Sequence, residues 1–107
     1  MEKEFLYNAN KFYECHKQNR IVNANKYAKK MNSILISIVD KGLYVSFCDN
    51  ILLSENSIAV IWVCGLCIDC NYRREDAIDI LKELCCSEDE IISRDANMLL
   101  FVKTQMS

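Results

Sequence analysis

Residues 34–70 read ILISIVDKGLYVSFCDNILLSENSIAVIWVCGLCIDC, and the fold turns on how this stretch is taken. It holds both Gly residues (Gly42 and Gly65), the single Trp (Trp62) and four of the seven Cys. Ile36, Ile38, Val39, Tyr44, Val45 and Phe47 are β-branched or aromatic, types that suit a pleated, half-buried surface. With Asp40, Lys41 and Gly42 between them, ILISIV and LYVSFC are predicted to pair as a β-hairpin with Gly42 in a left-handed position. The competing reading carries a helix through Leu35 and Ile38 and ends it at Gly42. Residues 58–64, IAVIWVC, are apolar on both faces, which predicts a central strand covered on both sides. A buried helix competes there, and length does not separate the two.

Working outward, the flanks read more simply. Residues 3–18 predict a helix, with Phe5, Ala9, Phe12 and His16 along one face. His16 sits at the edge of that stripe and reads as a partly buried histidine rather than a ligand. A second helix is predicted from about residue 21, with Ala24, Tyr27, Ala28 and Met31 inward and Lys26, Lys29 and Lys30 outward. Residues 73–86 predict a helix through Ala77, Ile80, Leu81 and Leu84, with acidic residues favouring its N-terminal end. Residues 97–104, NMLLFVKT, alternate as a last strand. The order becomes α-α-β-β-β-α-β. That predicts one small α+β domain over residues 1–107, a mostly antiparallel three- to four-stranded sheet packed with three helices.

Composition narrows the function classes. The chain is 51% hydrophobic and 26% charged, an ordinary globular balance, with a net charge of -2. Residues 1–41 carry eight Lys/Arg against four Asp/Glu, and residues 42–107 carry five against eleven. Such asymmetry offers two surfaces of opposite sign. Pro is absent, and Ile, Asn and Lys are abundant, which suggests an AT-rich viral, mobile-element, parasite or low-GC bacterial genome. No apolar core of a secretory signal and no 18-residue apolar run is evident. With an odd number of Cys in apolar surroundings, reduced thiols in a cytoplasmic or similar reducing compartment are expected.

One constellation carries possible chemistry: Cys64, Cys67 and Cys70, a C-x-x-C-x-x-C run. Thiolates at this spacing can wrap an ion such as zinc. The run also resembles part of the bacterial iron–sulfur ferredoxin pattern, although Arg74 stands where the fourth Cys would be and no Pro follows. Trp62 to Cys67, read as the end of a strand before a helix, locally resembles the thioredoxin active-site turn. That resemblance implies a dithiol whose first Cys is activated at a helix N-terminus. It covers only residues 58–84. Val63 separates Trp62 from Cys64, and the family's cis-proline has no counterpart. The third reading is packing: free Cys behaves as a small buried hydrophobe.

No Gly-rich phosphate loop, G-x-S-x-G or H-E-x-x-H pattern is present, and the one His leaves little room for a catalytic triad. The residues favour a non-catalytic, protein-binding module acting by surface occupancy, as an inhibitor, adaptor or assembly subunit. Its candidate contact residues are Glu75, Asp76, Asp79 and Glu83 on an acidic helix face, and Lys26, Lys29 and Lys30 on a basic one. The alternatives are a metal or redox protein centred on the three Cys, and a nucleic-acid binder using the three Lys.

Overall fold

The computed structural model describes residues 1–105 and places six helices in them, with no strand among those residues. They are α1 (Glu2–Lys17), α2 (Ile21–Asp40), α3 (Tyr44–Leu52), α4 (Ser57–Asp69), α5 (Arg74–Cys85) and α6 (Glu90–Gln105). The predicted helices at residues 3–18, from residue 21, and at 73–86 are present as α1, α2 and α5. The α+β architecture is wrong: the hairpin, the central strand and the last strand are all helical.

Each correction has a physical reason. In α2 the buried residues are Ala24, Met31, Ile34, Leu35 and Ile38, a helical stripe, whereas Ile36 is 55% exposed. A strand would have put Ile34, Ile36 and Ile38 on one face. Gly42 is left-handed, with φ 69°, but it closes a helix rather than a hairpin. The amide of Gly42 donates to the Val39 carbonyl, and that of Leu43 reaches back to the Ile38 carbonyl, both at 3.0 Å. These are the paired bonds of a Schellman motif.

The same closure recurs twice, with Asn in place of Gly. Asn19 (φ 57°) ends α1, and Arg20 N donates to Cys15 O at 2.8 Å. Asn71 (φ 52°) ends α4, and Tyr72 N donates to Cys67 O at 2.9 Å. Asn tolerates the left-handed region better than other side chains, so a chain poor in Gly and without Pro still stops its helices sharply.

The apolar run at residues 58–64 is a helix because it lies at the centre. Here α4 packs on α1, α3, α5 and α6, and nine of its thirteen residues are buried. A helix apolar all round is a buried helix. It starts at Asn56, whose side chain accepts from the Ala59 amide at 3.0 Å. Gly65 lies within it because a Cβ there would stand 3.3 Å from Leu99 Cδ2, so the missing side chain lets α6 approach closely.

Around α4 the core is continuous, from Phe5 of α1, edge-on to Phe47 of α3 at 5.3 Å, to Leu81 of α5 and Ala96 of α6. The predicted strand at residues 97–104 is the second half of α6. Ile92, Ala96, Leu99 and Lys103 follow helical spacing on its inner side. No described helix is long and apolar enough to cross a membrane.

Candidate functional site

The Cys run lies in the second half of α4. Cys64 and Cys67 are fully buried, and Cys70 is half-buried just past the helix end. Cys48 of α3 meets Cys67, and hydrogen bonding to that sulfur together with burial pushes the Cys48 thiol up. Burial pushes Cys64 up to about 12, so it is a thiol, not a thiolate, at neutral pH. A nucleophilic Cys needs the thiolate; of these sulfurs only buried Cys67 is held below its ordinary value, by the hydrogen bond from Cys48. The thioredoxin-like reading also requires the positive N-terminal end of a helix, whereas these Cys lie toward the negative end of α4. Among the described residues, no three His, Cys, Asp or Glu side chains are grouped so that they could share a metal ion. None of the seven Cys is in a disulfide.

The charged candidates are all on the surface. Glu75, Asp76, Asp79 and Glu83 are exposed along α5, with Asp76 held by Arg73 at 3.1 Å. Lys26, Lys29 and Lys30 are exposed on the first half of α2, where the ammonium groups of Lys26 and Lys30 sit 5.9 and 5.5 Å from the centre of the Tyr27 ring. His16 is half-buried against Phe12, ring centroids 4.5 Å apart. The structure does not bring the acidic face, the basic face and His16 together with each other, although Asp76 lies near enough to the Cys run to act on Cys67 through its charge.

What it does bring together is a groove that the sequence reading missed. The second half of α2 and α6 form its walls, and the face of α4 left uncovered by the other helices forms its floor. The floor is the stripe Trp62, Leu66 and Asp69, with Ile61 and Gly65 beside it. Trp62 is braced from below by Phe12, edge-on at 6.0 Å. One wall is Ile36 and Val39; the other is Met98, Leu99 and Val102. The space between is about 740 Å³.

Three of its apolar residues are open to solvent: Ile36, Met98 and Val102 are 55%, 61% and 47% exposed. Single exposed apolar side chains are ordinary; here they stand contiguously along one trough. Polar groups stand at its limits. Asp69 receives Lys103 Nζ on both carboxylate oxygens, at 2.7 and 2.8 Å. Asp95 pairs with Arg94 at 3.2 Å, and Asp40 lies at the end of α2.

Comparison with protein-family models, with curated proteins and with solved structures finds no significant match for this chain.

The signal for the groove was present in the sequence but depended on assigning the helices. Ile36, Val39, Met98 and Val102 are apolar residues that fall off the buried stripe of their helix. Read as strands, they looked like core.

Proposed function

We propose that this protein is a small binding module that holds an amphipathic helix of a partner protein in the groove between α2, α4 and α6. The observation that carries the reading is the continuous apolar trough with its exposed Ile36, Met98 and Val102. The groove is lined on each of three helices over about eight residue steps, roughly 12 Å, the length of about two helical turns. A helix laid there presents apolar anchors at i, i+3 or i+4, and i+7. Polar groups stand at the ends and leave the middle of the groove apolar, the pattern of a bed for an extended apolar face.

The test uses a displayed library of helix-forming peptides selected on the full chain. Trp62 is the only Trp and forms part of the floor, so its emission reports occupancy directly. Selected peptides should shift that emission and lose binding to a Met98→Glu, Val102→Glu double variant. Peptides that bind this variant as tightly as the wild type, or a selection yielding no binder that moves Trp62 emission, would overturn the proposal.

A further inference from the structure

The three stripes that line the groove share a pattern. On α2 it runs Asn32, Ile36, Val39, Asp40; on α4 it runs Trp62, Leu66, Asp69; on α6 it runs Asp95, Met98, Val102, Lys103. Each is apolar in the middle and charged at its C-terminal limit. Those limits lie together. Lys103 binds Asp69, and Tyr44, which opens α3 directly after the turn that ends α2, meets Tyr72 in the turn after α4, their rings 5.9 Å apart. One end of the groove therefore gathers Asp40, Asp69 and Lys103, along with the C-terminal ends of α2, α4 and α6. Of the charged side chains that line the groove at this end, two are carboxylates and one is an ammonium, with Lys41 following Asp40 as the cap of α2, and helix C-termini add partial negative charge.

The placement of the carboxylates is informative. Asp40 is the last residue of α2 and Asp69 the last of α4, and neither helix has a basic residue in its last turn. A carboxylate at a helix C-terminus opposes the dipole. Asp69 is compensated by Lys103. Asp40 makes no ion pair with the described residues. A residue that works against its own helix while edging an apolar groove fits a role in recognition rather than in folding.

We infer that the helix received by this groove carries a Lys or Arg at one end, placed to meet Asp40 beside the Asp69–Lys103 pair, and that this charge fixes its orientation. The inference rests on the groove reading above and adds the chemistry of the partner: apolar anchors over about two turns, then a basic residue at the acidic end.

The test takes the selected peptides that depend on Met98 and Val102, which establishes groove binding first. These should carry Lys or Arg at one terminus of the apolar repeat. Asp40→Lys should weaken them by about tenfold or more, and added salt should weaken wild-type binding. Changing the peptide's basic residue to Glu should restore binding to Asp40→Lys, a reciprocal rescue that a structural effect of the substitution would not give. Groove-dependent peptides with no basic terminus, or an Asp40→Lys variant with unchanged affinity, would overturn the inference and leave the groove reading standing. A self-associated chain whose dimer is dissociated by Met98→Glu would overturn it as well, with a second copy as the occupant.

Discussion

Asn71 holds φ 52° so that Tyr72 N can reach the Cys67 carbonyl and end α4. The next residue but one, Arg73, is also left-handed at φ 50°. It is held there by Asp49 and Asp76, each at 3.1 Å, while Tyr72 donates to Asp49 at 2.7 Å. For most L-residues the left-handed region costs about 1–2 kcal/mol, less for Asn and nothing for Gly. Asn71→Ala should therefore lower stability by about 1 kcal/mol, and Asn71→Gly should match or exceed the wild type. Urea midpoints at constant slope measure this. An Ala variant as stable as the Gly variant would refute the account of how α4 ends. At this scale the Cys run also acquires its meaning: Cys67 contributes a buried sulfur to the core and a carbonyl to the helix stop.

Asp89 ties the start of α6 to α1. Asp89 precedes α6 and accepts the amides of Ile91 and Ile92 at 2.9 and 3.4 Å, an N-cap, and it also accepts the Tyr13 hydroxyl from α1. The Tyr13 hydrogen bond foremost, then the two amides and the nearby Lys17, hold the Asp89 carboxyl below its ordinary value. A carboxylate depressed in the folded state contributes stability that is full above its unfolded pKa, about 3.9, and lost as pH falls through the lower folded value. Tyr13→Phe removes the principal cause and leaves the cap. Its deficit relative to wild type should be full at neutral pH, begin to shrink below about pH 4 as the unfolded chain takes up its proton, and be smallest below the lowered folded value, where Asp89 is protonated in both folded and unfolded chains. Urea unfolding at a series of pH values tests this; a deficit that persists unchanged in acid would show that Asp89 is not the partner that matters. The same hydrogen bond raises the Tyr13 phenol, and that contribution fades only as pH rises through the raised value.

For the whole molecule, the proposed function separates residues that hold the fold from residues that line the groove. Leu81 is fully buried in the core, and Leu81→Ala should cost roughly 2–5 kcal/mol. Met98 is more exposed than buried, so Met98→Glu should change stability by no more than about 0.5 kcal/mol while removing peptide binding. Thermal melts of the two variants alongside Trp62 titrations make the comparison. If Met98→Glu unfolds the chain, the α6 wall belongs to the core and the groove is closed in solution.

The sequence by itself determined α1, the start of α2, and α5. In each, apolar and charged residues segregate around the helix, as Ala77, Leu81 and the exposed Glu75, Asp79 and Glu83 do in α5. It also indicated a chain ordinary in composition and built around residues 34–70. Only the tertiary structure decided that this stretch is helical. The segments misread as strands are the later half of α2 with α3, α4, and the later half of α6. In α2 and α6, apolar residues on the outer face spoil the helical pattern because they line a groove rather than meet water alone. In α4 the pattern vanishes because neighbours cover most of its circumference. β-branched residues such as Ile36, Ile38 and Val39 then tipped the local preference toward strand, a preference of about 1 kcal/mol that packing readily overrides. In α2 and α6 the local rules broke down where the helices line the groove, and in α4 they broke down because the helix is buried in the chain's own core.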